Sequence, residues 1–305
     1  MRTRYYEVRG LRLAYHEWEG TGPCVLLIHG FMDHGLSFAE VAEGLGDYRV
    51  VAPDVRGHGH SGWVGAGGYY HFYDYFDDMR RLVDELGIDR FAVVGHSMGG
   101  SIASGLSALI PDQVVRLVLL EGMGPPVSNL NESAARLRRW SDALRRPGVV
   151  HDVVDRRKAR PIMVGIEEAA ARLRRFNSRL TPERASKLAG TFTEPSEDGT
   201  GVVWRVDPLH KTPAAKPFLW DEATALWRAV KAPVLSLFGM ESPWVPDRIE
   251  ERHAHLQTVT RAGVLGAGHN IHHDRPELVS VAIDAWIKDR PLPEELVLES
   301  RAREA

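Results

Sequence analysis

Apolar residues follow two alternating patterns along this chain. Short continuous runs of apolar and β-branched residues are separated by longer segments in which apolar residues recur every three or four positions. The runs lie at 24–30, 48–54, 91–97, 114–122, 232–239 and 259–269. Strands buried on both faces have continuous apolar sequences, whereas the longer period is that of helices packed on a sheet. The alternation predicts an α/β fold with a mostly parallel sheet flanked by helices.

The N-terminal residues predict two more strands, YYEVRG and LRLAYHEWE, joined across Arg9 and Gly10 as an antiparallel edge hairpin. With the six runs, this makes an eight-stranded sheet. The predicted helices outside the middle of the chain span 37–45, 72–87, 98–109 and 276–289. The last fifteen residues are polar, so we expect a surface helix or a frayed tail there.

Strand patterns are absent between residues 125 and 225. Two stretches, 133–146 and 165–180, have the period of amphipathic helices, and arginine is frequent throughout the segment. Because the segment follows the sixth predicted strand, it is interpreted as an inserted helical cap. The expected domains are therefore a core of residues 1–124 and 226–305, and a cap or lid of residues 125–225.

Composition restricts the classes of function. The chain has 305 residues, of which 44% are apolar, enough for one large core with an inserted lobe. Its 38 basic and 41 acidic residues are mixed and give a net charge of −3. That balance offers no positive surface for nucleic acid or an anionic membrane. We expect a small-molecule substrate and a monomer or homodimer.

The sequence also carries signals about cellular context. A single cysteine, Cys24, cannot form an intramolecular disulfide, and it begins an apolar run typical of a core strand. The N-terminus lacks the apolar region of a secretion signal, and no apolar stretch reaches the roughly 18 residues that cross a bilayer. These features predict a soluble, cytoplasmic protein without a membrane span.

One serine, Ser97, lies in the sequence GHSMGG between an apolar run and a segment of small and apolar residues. A sharp turn from a strand into a helix would bring side chains at neighbouring positions into collision, and Gly95 and Gly99 remove that clash. This context favours a G-x-S-x-G nucleophile elbow, with the hydroxyl of Ser97 projecting above the sheet. Ser97 is the predicted catalytic nucleophile.

A serine nucleophile needs two backbone donors for the oxyanion of its tetrahedral intermediate. The first predicted donor is the amide of Met98, at the start of a helix. The second is the amide of Phe31, in the loop HGFMDHG after the third strand. His29, in the same loop, is interpreted as a structural histidine and kept as a candidate pocket residue.

Position decides which of the fourteen histidines is the base. His269 lies beyond the last core strand and before the final helix, so the chain order is serine, acid, histidine, as in this motif class. The adjacent His272 and His273 resemble metal ligands. No second ligand cluster with suitable spacing accompanies them in the sequence, and no metal is expected.

Two glutamates are candidates for the acid that orients His269. Glu121 directly follows the sixth strand in LLEGMGPP, and Glu241 follows the seventh in LFGMESPW, where Ser242 stands at the position that an aspartate would usually occupy. Glu121 is favoured, because its side chain would point into the crevice at the carboxyl ends of the strands. Glu241 is the alternative acid.

Four motifs in order resemble the α/β-hydrolase superfamily over nearly the whole chain. They are HGFMDHGLSF, APDVRGHGHS, GHSMGG and GAGHNIHHDRPE. The stretches YYHFYDY, LLEGMGPP and VVWRVDPLHK look like the serine hydrolase-like branch of that superfamily. The resemblance implies cofactor-free and metal-free hydrolysis of esters through an acyl-serine. The family more often takes its acid after the seventh strand, and this sequence departs from that pattern.

The leading hypothesis is therefore a carboxylesterase-like serine hydrolase with Ser97, His269 and Glu121. The same residues would also serve a lactone, a carbon–carbon bond of a diketone or perhydrolysis, and a hydrolase-fold protein that only binds a ligand is a further alternative. Aromatic residues of the cap and nearby loops are candidates for the pocket wall: Trp140, Phe176, Trp204, Phe218, Trp220 and Trp227 in the cap, and Trp63, Tyr69, Tyr70 and Trp244 in loops.

Overall fold

A computed structural model describes residues 1–146, 152–244 and 246–298 of the chain. Its strands, in chain order, are β1 (Arg2–Val8), β2 (Leu11–Trp18), β3 (Cys24–Ile28), β4 (Arg49–Pro53), β5 (Phe91–His96), β6 (Val114–Leu120), β7 (Thr193–Pro195), β8 (Val202–Trp204), β9 (Val234–Gly239), β10 (Val259–Val264) and β11 (Leu296–Leu298).

The helices, in the same order, are α1 (Ala39–Gly44), α2 (Asp74–Leu86), α3 (Met98–Leu109), α4 (Ser133–Ala143), α5 (Val153–Lys158), α6 (Ile166–Phe176), α7 (Pro182–Phe192), α8 (Trp220–Ala229), α9 (Ile249–Ala254), α10 (Ile271–Asp274) and α11 (Pro276–Ile287). Short 3₁₀ turns occur at Gly35–Phe38, Leu130–Glu132 and Pro208–Lys211. Among the described residues, no helix combines the length and apolarity needed to cross a bilayer.

The main sheet has the strand order β1-β2-β4-β3-β5-β6-β9-β10-β11. Pairing is parallel from β4 through β10, and antiparallel at both edges. This confirms the predicted mixed, mostly parallel sheet. Because the carboxyl ends of parallel strands meet at one edge, the residues that follow β3, β5, β6, β9 and β10 converge there.

Both faces of the sheet are buried, as continuous apolar runs require. In β3, Leu26 and Ile28 pack into one core together with residues of α2, α3 and α8. The alternate residues, Val25 and Leu27, pack into a second core with residues of α1 and α11. The two cores pack the strands tightly on both faces, so the loops at the carboxyl ends of the strands start from fixed positions.

Helices α4 to α8 and a small hairpin lie between β6 and β9, which confirms a helical insertion after the sixth predicted strand; the cap bounds of 125–225 stay a prediction. Part of it has its own apolar cluster, built from side chains of α6, α7 and adjoining segments: Met163, Ala169, Ala170, Leu180, Ala185 and Ala189. The hairpin pairs β7 with β8, and it is not predicted by the sequence. Strands of three residues are too short to show a repeating pattern of apolar positions.

The predicted strand number is also wrong by one. A ninth strand, β11, pairs antiparallel with β10 at the edge of the sheet. It lies in the polar C-terminal segment, for which a surface helix or a frayed tail is predicted; residues 299–305 of that segment lie outside the described residues. Leu296 is buried against the second core. This apolar contact and the hydrogen bonds to the edge strand β10 stabilise β11.

Candidate active site

Ser97 occupies the turn between β5 and α3. Its backbone has φ 50° and ψ −115°, an unfavourable conformation for a residue with a side chain. A Cβ on Gly95 would lie 2.3 Å from the carbonyl oxygen of Gly99, and a Cβ on Gly99 would lie 2.1 Å from that of Ile28. Both positions therefore require glycine, for the steric reason that the sequence predicts.

Ser97, His269 and Glu121 form a continuous hydrogen-bonded chain. The Oγ atom of Ser97 lies 3.0 Å from Nε2 of His269, and Nδ1 of His269 lies 2.6 Å from Oε2 of Glu121. A carboxylate only accepts, so the proton of the neutral imidazole is on Nδ1 and Nε2 is free to accept from the hydroxyl. The side chain of Glu121 is 3% exposed and that of His269 is 23% exposed. This arrangement can transfer a proton away from Ser97.

Three donors hold the carboxylate of Glu121. Besides His269, the backbone N–H of Gly239 donates to Oε1 at 2.8 Å and the hydroxyl of Ser242 donates to Oε2 at 2.7 Å. Glu121 has a φ of 51°, a left-handed value that is uncommon for a residue other than glycine. The glutamate therefore sits in a strained backbone position with its charge fully hydrogen-bonded.

Glu241, the alternative acid, points elsewhere. Its carboxylate pairs with the guanidinium of Arg179 at 2.6 Å, and its side chain is 53% exposed. The structure brings Glu121, and not Glu241, to His269.

His96 is hydrogen-bonded to the backbone of His269, a role that the sequence analysis does not assign to it. Its Nε2 donates to the backbone carbonyl oxygen of His269 at 2.9 Å. Burial is the main cause that holds the pKa of His96 well below its usual range, and the nearby His272 is the second cause, so the ring is neutral. The contact joins residues 173 positions apart, so the sequence could not predict it. The position of His96 next to Ser97 is the one sequence feature that points to a place in the site.

The loop after β3 approaches Ser97 closely. A Cβ on Gly30 would lie 3.3 Å from the Cβ of Ser97. The Phe31 amide follows directly and belongs to no helix or strand, and Met98 is the first residue of α3, where amides lack an intrahelical acceptor. His29 is buried; it accepts from the amide of Val55 at 3.0 Å and donates from Nδ1 to the Gly30 carbonyl at 2.7 Å. It therefore fastens this loop.

In the described part of the chain, two side-chain groups have the types and proximity to hold a metal ion: His16 with Asp54 and His60, and Asp33 with His272 and His273. The second group is formed by tertiary structure, which adds Asp33 to the two histidines noted in the sequence. Although burial alone would raise the pKa of Asp33, the hydrogen bond with His272 and the nearby His273 hold it well below its usual range. Burial lowers the pKa of His272 to about 3. Each group thus contains a buried carboxylate that is hydrogen-bonded to at least one imidazole, and the absence of a metal stays a prediction.

A cavity of about 460 Å³ opens beside the loop after β3. Phe31, in the loop after β3, and Asn270, which follows His269 in the sequence, line it on the core side. The insertion supplies most of its apolar wall, with Leu173, Phe176, Leu180, Leu188, Phe192 and Trp204. The cavity therefore lies between α6, α7 and the loops after β3 and β10, and Ser97 and His269 are not among its described lining residues.

Among the predicted pocket residues, Trp204 and Phe176 line this cavity. Trp244 is not among the described residues that line it; its ring lies 5.8 Å from that of His269, and 61% of the residue is exposed. Trp140 packs edge-on against Tyr69, and Trp220 packs against Trp227 and His255. Neither tryptophan, nor the buried His29, is among the described residues that line the cavity.

Comparison with known proteins is consistent with this architecture. A family model described as alpha/beta hydrolase fold matches residues 23–276. A 3-hydroxybutyrate-oligomer hydrolase from Cupriavidus necator is 32% identical over 89% of this chain and 91% of its own length. A serine hydrolase-like protein from Danio rerio is 29% identical over 88% of this chain and 82% of its own length. The solved thioesterase domain from the curacin biosynthetic pathway is 27% identical, with a TM-score of 0.79 over 92% of this chain and 97% of that domain.

Proposed function

Since the chain belongs to the α/β-hydrolase fold family, we propose that it is a serine hydrolase that cleaves carboxylic esters through an acyl-serine intermediate. One observation carries this proposal: Ser97, His269 and Glu121 are joined by hydrogen bonds of 3.0 and 2.6 Å. A serine, a histidine and a carboxylate joined in this order by hydrogen bonds activate the serine hydroxyl for acyl transfer. A protein that only binds a ligand would not require this alignment.

In the proposed reaction, the Oγ atom of Ser97 attacks the acyl carbon while Nε2 of His269 takes its proton. The resulting imidazolium is stabilised by the carboxylate of Glu121 and then protonates the leaving alcohol as the tetrahedral intermediate collapses. A water molecule next loses a proton to Nε2 and attacks the acyl-serine. Collapse of the second intermediate releases the carboxylic acid and returns the proton to Ser97.

We assign the oxyanion to the amides of Phe31 and Met98. Support for the first comes from the close approach of Gly30 to Ser97, which brings the following amide to the same side of the nucleophile. Support for the second comes from its place at the positive end of α3. Donors fixed before the reaction stabilise the developing charge without reorganisation.

The proposed binding site for the apolar part of the substrate is the cavity beneath α6 and α7. Its largely apolar wall suits an acyl or alkyl chain, and the insertion, proposed as a cap domain of residues 125–225, would set the chain length. The relative from Cupriavidus necator is named for hydrolysis of 3-hydroxybutyrate oligomers. Short oligoesters of hydroxy acids therefore belong among the substrates to be tested.

The proposal is tested by labelling and turnover. A fluorophosphonate probe should label the wild-type protein at Ser97, and Ser97→Ala should lose both labelling and ester hydrolysis. Ser101→Ala, one turn further along α3, is the matched control and should keep both. Substrates are p-nitrophenyl esters of increasing chain length, hydroxy acid oligoesters and lactones. Labelling that persists in Ser97→Ala would refute the nucleophile, and turnover of lactones alone would refute the ester assignment.

A further inference from the structure

The hydroxyl of Ser242 shares an acceptor with the imidazole of His269. Its Oγ atom lies 2.7 Å from Oε2 of Glu121, and Nδ1 of His269 lies 2.6 Å from the same oxygen. Ser242 follows β9 and Glu121 follows β6, and these strands are neighbours in the sheet. The contact therefore joins two carboxyl ends of adjacent parallel strands, at the edge where Ser97 also lies.

The local backbone determines the direction of this hydroxyl. The amide of Trp244 donates to Oγ of Ser242 at 3.1 Å, so a lone pair is occupied and the hydroxyl hydrogen is directed to the carboxylate. The amide of Ser242 donates to the carbonyl of Gly239 at 3.0 Å, which closes a turn. The N–H of Gly239 in turn binds the other oxygen of Glu121 at 2.8 Å. One turn after β9 thus holds both carboxylate oxygens.

We propose that Ser242 is a positioning residue of this hydrolase, whose hydroxyl holds the carboxylate of Glu121 in the orientation that presents Oε2 to His269. This inference rests on the proposed function. A glutamate side chain has one more rotatable bond than an aspartate, so its carboxylate must be restrained more strongly to keep one oxygen on Nδ1. A charge-assisted O–H bond to the ionised carboxylate supplies that restraint. Ser242 acts through Glu121 and does not touch the substrate.

The same turn connects the carboxylate to Trp244. Trp244 is bonded to Ser242 through its backbone, and its indole lies 5.8 Å from the imidazole of His269. Removal of the Ser242 hydroxyl would therefore remove one donor from the carboxylate that binds His269 and one acceptor from the backbone of Trp244.

The test compares Ser242→Ala, Ser242→Cys and Ser242→Thr, each with and without Glu121→Gln. The readouts are kcat and KM for the best p-nitrophenyl ester and the rate constant of fluorophosphonate labelling at Ser97. A lost hydrogen bond to a charged group corresponds to a fall in kcat of about 10- to 100-fold for Ser242→Ala. KM should stay within about twofold, and Ser242→Thr should recover most of kcat because it keeps the O–H. Ser242→Cys, a weak donor of similar size, should behave like Ser242→Ala.

In the Glu121→Gln background, Ser242→Ala should change either rate by less than about twofold, since residues that act as one unit are not additive. The matched control is Ser128→Ala, because Ser128 also accepts a backbone N–H, from Phe218 at 3.1 Å; its kcat should be unchanged. The inference is wrong if Ser242→Ala and Ser242→Cys keep wild-type kcat. It is also wrong if these substitutions reduce kcat by the same factor in the Glu121→Gln background as in the wild-type background. Activity that survives Ser97→Ala refutes instead the proposed function.

Discussion

Nε2 of His96 donates to the backbone carbonyl oxygen of His269 at 2.9 Å, which links the turn that carries Ser97 to the loop that carries the imidazole. Because the two rings also lie 4.9 Å apart, His96 restrains both the backbone and the ring position of His269. This bond crosses from β5 to the loop after β10, two strands that are not neighbours in the sheet.

Replacement of His96 by phenylalanine is expected to keep the ring packing and remove the donor. The carbonyl of His269 would then lose its hydrogen-bond donor, and the imidazole would lose its alignment with Ser97. We expect kcat for an ester substrate to fall by about tenfold or more, with a smaller change in KM. Steady-state kinetics and the melting temperature of His96→Phe check this. Unchanged kcat in a folded variant would contradict it.

Substitution of Gly30 by alanine should disturb the proposed oxyanion site. The new Cβ would lie 2.7 Å from Nδ1 of His96 and 3.3 Å from the Cβ of Ser97, so the loop must move away from the nucleophile. Loss of one oxyanion donor typically costs about 100- to 1000-fold in kcat, which is the expected upper range. The control is Gly190→Ala in α7, where a Cβ meets no atom within 4 Å. Gly190→Ala should keep kcat and raise the free energy of unfolding by up to about 1 kcal/mol.

Trp204→Ala should shift chain-length preference. Trp204 lines the cavity beneath α6 and α7, so its removal enlarges the space proposed for the apolar chain. Relative kcat/KM should rise for esters about two to four carbons longer than the wild-type optimum. Trp140→Ala is the control, because Trp140 packs against Tyr69 away from this wall. Equal chain-length profiles for Trp204→Ala and wild type would show that the cavity does not hold the acyl or alkyl chain.

Stability should fall steeply in mild acid. Burial lowers the pKa of His34, His210 and His272 to about 3 in the folded protein. In the unfolded chain these histidines take up protons near pH 6.5, so between about pH 6.5 and 3 the unfolded state binds more protons. The stabilisation is complete above that range, and each histidine removes about 1.4 kcal/mol per pH unit as the pH falls. Urea unfolding at pH 7, 6 and 5 measures this slope.

A substitution separates this effect from general acid denaturation. His210→Phe should reduce the number of protons taken up on unfolding by about one between pH 6 and 5. His71 is exposed, and His71→Phe is the matched control variant. A free energy of unfolding that is flat from pH 7 to 5 would contradict the assignment of neutral buried histidines.

The sheet and the helix after Ser97 follow from local sequence. The runs at 24–30, 91–97 and 114–122 predict β3, β5 and β6, and the predicted helix 98–109 coincides with α3. These elements are strongly periodic or continuously apolar. In contrast, β7, β8 and β11 each have three residues, and their pairing depends on edges that other parts of the chain provide.

The sequence by itself determined where the core strands fall along the chain, the glycine-flanked turn at Ser97 and the late position of His269, because each depends on residue type and spacing within a short segment. Tertiary structure placed Glu121, and not Glu241, against His269, brought His96 to His269 and Ser242 to Glu121, and placed Trp204 at the cavity but Trp140 and Trp220 elsewhere. Those outcomes depend on contacts between strand ends and helices far apart in the chain. A hydrogen bond is lost within about 1 Å of displacement, so only a folded frame can decide which of two similar carboxylates meets the imidazole.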